Sequence, residues 1–207
     1  MKTTKILLIG DSITDCGRRE DHEGLGNGYV RLIHDYLLTT YPAANFQIVN
    51  TGIGGNRVTD LAARWQTDVI AHQPDYVSIS IGINDVWRQL DRPEIEQVLP
   101  EKFNNVYKEL LTKVKEETNA QILLMEPTII DEDLNSTGNK LLRDYVEIVH
   151  QLAKQFGSTI IPTHQAFLEY LQSGNTSKLT TDGVHMNSAG NMLMATTWLR
   201  AVEHLLK

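Results

Sequence analysis

The chain is poor in several things, and each shortage removes a class of function. It has a single cysteine, Cys16. No disulfide can close within the chain, and a Cys₄ or Cys₂His₂ zinc site is excluded. Basic residues are in the minority, with 19 Lys and Arg against 26 Asp and Glu, a net charge of −7. That is not the basic footprint needed for nucleic acid or an anionic membrane. No apolar run approaches the roughly 18 residues of a membrane span. The N-terminal run Ile6 to Ile9 is too short for a secretion signal, so the expected compartment is the cytoplasm. The chain has no Gly-x-x-x-x-Gly-Lys-[Ser/Thr] loop for nucleotide phosphates. It also lacks a Gly-x-Ser-x-Gly elbow, because the residue two after Ser12 is Thr14. Asp11-Ser12-Ile13-Thr14 is similar to an Asp-x-Asp-x-Thr phosphatase signature, but Ile13 stands where its second acid would be.

What is present is ordinary globular composition: 207 residues, 41% hydrophobic and 22% charged. The length suits one domain, residues 1–207, with a folded surface of roughly 9,700 Å². There is no internal repeat, low-complexity tract or linker. Short apolar runs at Ile6–Ile9, Phe46–Val49, Tyr76–Ile81, Ile122–Met125 and Thr159–Ile161 read as five strands. Helical spacing connects them. It brings together Tyr29, Ile33 and Leu37; Leu61, Trp65 and Val69 after an N-cap at Thr59; and Phe103, Tyr107, Leu110 and Val114. Further helices are expected over 138–155, around Phe167 and Tyr170, and over 188–206. Residues 11–28, 84–100 and 173–187 are expected as loops. Strands alternating with helices predict a three-layer α/β/α sandwich on a five-stranded parallel sheet. In such sheets chemistry sits beyond the carboxyl ends of the strands.

The residues at those ends are Gly10-Asp11-Ser12, then Asn50 to Asn56 with Gly52, Gly54 and Gly55, then Gly82-Ile83-Asn84-Asp85. Asp182-Gly183-Val184-His185 precedes the last helix. A serine hydroxyl needs a base to become a nucleophile. His185 is the one histidine in the 173–187 loop, and Asp182 lies close enough for a local turn to hold its carboxylate on the ring. Ser12, His185 and Asp182 can therefore act as nucleophile, general base and orienting acid. Asp15 and Asp85 are the other acids that could orient the base. The remaining histidines (His22, His34, His72, His150, His164 and His204) are scattered and read as surface or packing residues.

The four blocks, in this order, resemble those of the SGNH hydrolases, also called GDSL esterases and lipases. The resemblance spans residues 10 to 185. The stretches GDSITDCGR (10–18), 64–89 and DGVH (182–185) look most like intracellular bacterial acetylxylan esterases. It implies a flavodoxin-like sandwich, a serine esterase that removes acetyl groups from carbohydrate, no cofactor or metal, and a homo-oligomer. It also implies an oxyanion hole made by the Ser12 N–H, the Gly55 N–H and the Asn84 amide, with Gly54 as the alternative glycine. Relatives often carry proline after the base, where this chain has Met186.

Asp11 reads as a support for the loop or as a substrate contact. Trp87 and Arg88 can line a sugar subsite or pack under a loop. The alternative within the family is a lysophospholipase or acyl-thioesterase, which would need an apolar acyl channel near residues 84–100. The partner in either case is a small-molecule ester.

Overall fold

The computed structural model describes residues 3–206. Its sheet has five parallel strands: β1 (Thr3–Gly10), β2 (Asn45–Asn50), β3 (Tyr76–Ser80), β4 (Gln121–Met125) and β5 (Thr159–Ile161). Their order is β2-β1-β3-β4-β5, the flavodoxin-like order. The register Gly10↔Ser80 brings the carboxyl ends of β1 and β3 level, and Leu8↔Asn50 ends β2 two residues short of them. The chain turns from one side of β1 to the other between β2 and β3, and ligands of such sheets bind at this reversal.

Among the described residues, eight helices complete the architecture: α1 (Ser12–Asp15), α2 (Tyr29–Thr40), α3 (Val58–Asp68), α4 (Ile83–Asp91), α5 (Pro100–Glu117), α6 (Thr137–Phe156), α7 (Thr163–Gln172) and α8 (Ser188–Leu206). One 3₁₀ turn, Ile70–His72, separates α3 from β3. Both sheet faces are covered, so the middle strands are mostly apolar and buried on both sides. Ile6 to Ile9 are wholly inaccessible and every residue of β3 is buried. Helix α2 packs on α8 against one face, while α3, α5 and α6 lie side by side on the other. The Trp198 indole N–H of α8 donates to Ser78 Oγ of β3 at 3.0 Å, which satisfies a hydroxyl in the sheet core. The accessible surface is 9636 Å², close to the value expected from chain length alone.

Three local expectations need correction. Residues 11–28 are not all loop, because Asp11 caps a short helix with its side chain on the Ile13 N–H at 2.9 Å. Residues 84–100 are not all loop either, since α4 runs to Asp91. Helix α3 begins one residue after Arg57 rather than at Thr59: the Asp60 carboxylate folds back onto the Arg57 N–H at 2.8 Å.

Candidate active site

Gly10 ends β1 where no side chain fits. A β-carbon there would lie 2.3 Å from the Ser80 carbonyl oxygen and 2.4 Å from Thr14 Oγ1. The chain leaves the strand through Asp11, whose capping turn presents Ser12 at the first position of α1. Thr14 and Tyr29 hydroxyls bond at 3.0 Å in the core and hold α1 against α2. Asn50, at the end of β2, ties the same region together. Its Nδ2 donates to the Thr14 and Leu25 carbonyls at 2.7 and 2.8 Å, and its Oδ1 accepts the Gly52 N–H at 2.9 Å.

Across 173 positions of sequence, Ser12 Oγ lies 2.9 Å from His185 Nε2. His185 Nδ1 lies 2.7 Å from Asp182 Oδ2. The other oxygen of Asp182 accepts the Val184 and His185 N–H groups at 3.0 and 2.7 Å. Partial burial alone would raise the Asp182 carboxyl, but the bonds from the His185 ring and the two N–H groups outweigh it and hold it below the usual carboxylate range. The loop carrying this pair is pinned at both ends. The Thr181 N–H donates to the His185 carbonyl at 2.8 Å. Glu132 Oε1 accepts the Leu179 N–H, the Thr180 N–H and the Thr180 hydroxyl at 2.9, 2.8 and 2.5 Å. The Asp131 N–H donates to the Gly183 carbonyl at 2.7 Å.

The glycine loop lies beside Ser12, since a β-carbon on Gly54 would come 3.8 Å from Ser12 Cβ. The Gly54 N–H is occupied, donating to Asp15 Oδ2 at 3.2 Å. Gly55 has φ +80°, which glycine adopts without strain. Among the described residues, neither its N–H nor that of Ser12 has a hydrogen-bond partner. Asn84 is buried on the first turn of α4, and its Nδ2 donates to the Asn56 carbonyl at 3.1 Å. Arg88, one turn further on, places Nη2 3.4 Å from Asn84 Oδ1. Two neighbours thus settle which end of the amide is the donor. Arg88 also lies 4.5 Å above the Trp87 ring, and Trp87 meets the His185 ring edge-on at 5.9 Å between centroids. Trp87 therefore borders His185, and Arg88 bridges Trp87 and Asn84.

Two buried carboxyls lie beneath. Burial raises Asp11 to about 6, against the pull of the Ile13 N–H and the His185 charge. Burial raises Asp85 further, to about 8, against the Val58 N–H and helped by repulsion from Asp11. Asp85 accepts that N–H at 3.1 Å and so anchors the start of α3. Asp15 and Asp85 are thus committed to the Gly54 and Val58 N–H groups, and Asp182 is the acid on the His185 ring. Sequence reading gave no role to Asn50, Glu132 or Arg64. Arg64 carried one signal: an arginine three residues after Leu61 and next to Trp65, on the edge of a buried stripe.

A family model described as GDSL-like lipase/acylhydrolase matches residues 8–193. The chain belongs to the GDSL-like lipase/acylhydrolase family. It is a carboxylic-ester hydrolase of that family. An acetylxylan esterase from Geobacillus stearothermophilus is 40% identical over 205 residues, covering 96% of this chain and 93% of its own length. The crystal structure of the acetylxylan esterase from that organism superimposes with a TM-score of 0.90 at 39% identity, covering 96% and 94% of the two chains. An α/β hydrolase enzyme from the metagenome of Lake Arreo, Spain, gives a TM-score of 0.91 at 35% identity over 98% and 96%. The GDSL-like family thus accounts for the sheet order and for nearly the whole chain.

Proposed function

We propose that this protein removes acetyl groups from acetylated xylo-oligosaccharides, with Ser12 as nucleophile, His185 as general base and Asp182 as its orienting acid. The continuous chain Ser12 Oγ, His185 and Asp182, at 2.9 and 2.7 Å, carries the reading. Ser12 Oγ attacks the acetyl carbon as His185 Nε2 takes its proton. The developing oxyanion meets the Ser12 and Gly55 N–H groups and Asn84 Nδ2. Gly55 is preferred to Gly54 because the Gly54 N–H is already held by Asp15. The tetrahedral intermediate collapses as His185 returns the proton to the departing sugar oxygen, leaving an acetyl-serine. Water, deprotonated by His185, then attacks the acetyl carbon. Acetate leaves and Ser12 regains its proton.

The choice of acetylated sugar rests on the similarity to the Geobacillus acetylxylan esterase. Trp87 and Arg88 would contact the sugar. The apolar residues of 84–100, which by sequence neither support nor exclude an acyl channel, are scattered between core and surface. Val86 and Val98 are buried in the core, whereas Leu90 and Leu99 are exposed. A cytoplasmic homo-oligomer completes the proposal, the compartment from an N-terminal apolar run too short for a secretion signal and the assembly from the family resemblance. No helix among the described residues is long and apolar enough to cross a membrane.

The test is hydrolysis of a series of esters from acetyl to decanoyl, in chelator, by wild type and Ser12→Ala. Expected are a steep preference for acetyl, full activity in chelator and loss of nearly all turnover in the variant. A preference for long chains would shift the assignment to lipid or thioester substrates. Turnover that survives loss of the Ser12 hydroxyl would overturn the mechanism.

A further inference from the structure

Arg64 lies on α3, behind the glycine loop, with its side chain only 13% exposed. Its guanidinium carries five N–H donors in one plane. Nε donates to Asn56 Oδ1 at 2.8 Å. Nη1 donates to the Thr51 carbonyl at 2.6 Å and to Asp68 Oδ2 at 2.7 Å. Nη2 donates to the Gly10 carbonyl at 3.1 Å. Asp68, one turn along α3, balances its charge. The other acceptors belong to the segments that the proposed chemistry needs in register.

Gly10 lies two residues before Ser12, and its carbonyl also accepts the Ile53 N–H at 3.1 Å. Thr51 opens the loop that contains Gly55. Asn56 closes that loop and relays the bond onward: its side chain is fixed by Arg64, and its backbone carbonyl receives Asn84 Nδ2. A second arginine assists, since Arg18 Nε donates to the Gly52 carbonyl at 2.6 Å. Carbonyls of the glycine loop are thus held from behind.

We infer that Arg64 is a positioning residue for the oxyanion hole, setting the Ser12 N–H, the Gly55 N–H and the Asn84 amide at fixed distances from one another. The inference rests on the serine-esterase reading above. Arg64 touches neither the nucleophile's hydroxyl nor the base. Its effect must therefore appear in stabilisation of the tetrahedral intermediate and not in ground-state binding. A lysine keeps the charge beside Asp68 but cannot span the same acceptors from one plane.

The experiment compares Arg64→Met, Arg64→Lys and Asn56→Ala with wild type and Ser12→Ala. It reads kcat and KM on an aryl acetate, the inhibition constant of methylboronic acid as a tetrahedral mimic, and the thermal melt. Loss of a whole oxyanion donor costs about 10²–10³ in rate. Loosening three donors without removing any is expected to cost Arg64→Met about 10–100-fold in kcat at nearly constant KM. The methylboronic acid constant should rise in step. Arg64→Lys should fall between, and Asn56→Ala should reproduce the pattern more weakly with Arg64 still in place. A folded Arg64→Met with wild-type kcat, or one altered in KM alone, would overturn the inference. If that variant fails to fold, Arg64→Lys and Asn56→Ala decide it, and wild-type kcat and boronic-acid affinity in both would refute it. A Ser12→Ala enzyme that still turns over would instead sink the functional reading beneath it.

Discussion

The two halves of the candidate site are built differently. On one side stand Ser12, the glycine loop and Asn84, set into the ends of β1, β2 and β3. Their supports are buried: Asp11 is 1% exposed, Asn84 2% and Asp85 0%. Hydrogen bonds there join segments distant in sequence, from Gly10 to Arg64 and from Asn56 to Asn84. On the other side stand Asp182 and His185, whose side chains are 46% and 38% exposed. Their mutual bond spans three residues and is set by a local turn. The difference follows from the two tasks. Donors for an oxyanion must be immobile, because their value depends on needing no reorganisation, and here the exposed Gly55 and half-buried Ser12 rest on buried supports. A base must pick up and release a proton twice per cycle and has to reach water in the second half.

This contrast can be broken from either side. The largest expected effect is on the exposed side. Asp182→Asn should lower kcat by about 10⁴-fold, because a neutral amide does not stabilise the imidazolium and its NH₂ can favour the wrong tautomer of His185. Near-normal turnover would mean that another acid orients the base. Next comes the buried side. Asn84→Ala should lower kcat by about 10²–10³ with little change in KM, measured on an acetyl ester, since the donor acts on charge that develops only in the transition state. An unchanged kcat would remove Asn84 from the oxyanion hole.

The smallest effect sharpens the buried side and concerns stability. Asp85 titrates near 8 in the folded protein, against 3.8 for an ordinary aspartate. The folded state therefore keeps a proton that the unfolded chain gives up. Its contribution to stability is complete below about pH 4 and fades as pH rises through 8. Asp85→Asn should flatten the fall of stability over that window in urea unfolding. The slope remaining should lie between about pH 4 and 6, where Asp11 titrates. A slope identical to wild type would show that Asp85 is ionised throughout.

The sheet was legible because both of its faces are covered. Runs such as Ile6–Ile9 and Tyr76–Ile81 needed no alternation to be read, and all five strands lie where the runs fall. Helices α1 and α4 were not legible, for opposite reasons of pattern. Helix α1 is four residues long and depends on the cap from Asp11, which leaves no periodic trace. Helix α4 turns polar residues, Asn84 and Asp85, inward beside Val86. A stretch whose buried stripe is polar looks like a loop to any reading based on hydrophobic spacing. At the candidate site, Ser12, Asn84, Asp182 and His185 stood out as reactive types at strand and helix ends. Arg64 and Glu132 did not. Their acceptors and donors are mainly backbone groups, and backbone groups have no sequence signature.

The 173 positions between Ser12 and His185 have a consequence for how the protein is made. Ser12, the proposed nucleophile, leaves the synthetic machinery 173 residues before His185, the proposed base. The two come within bonding distance only when the end of β1 and the loop before α8 meet in the folded chain. A partly assembled chain can hold intact strands and helices and still be chemically silent. Recovered turnover is therefore a stringent clock for refolding, one that starts to count only when these two segments have met.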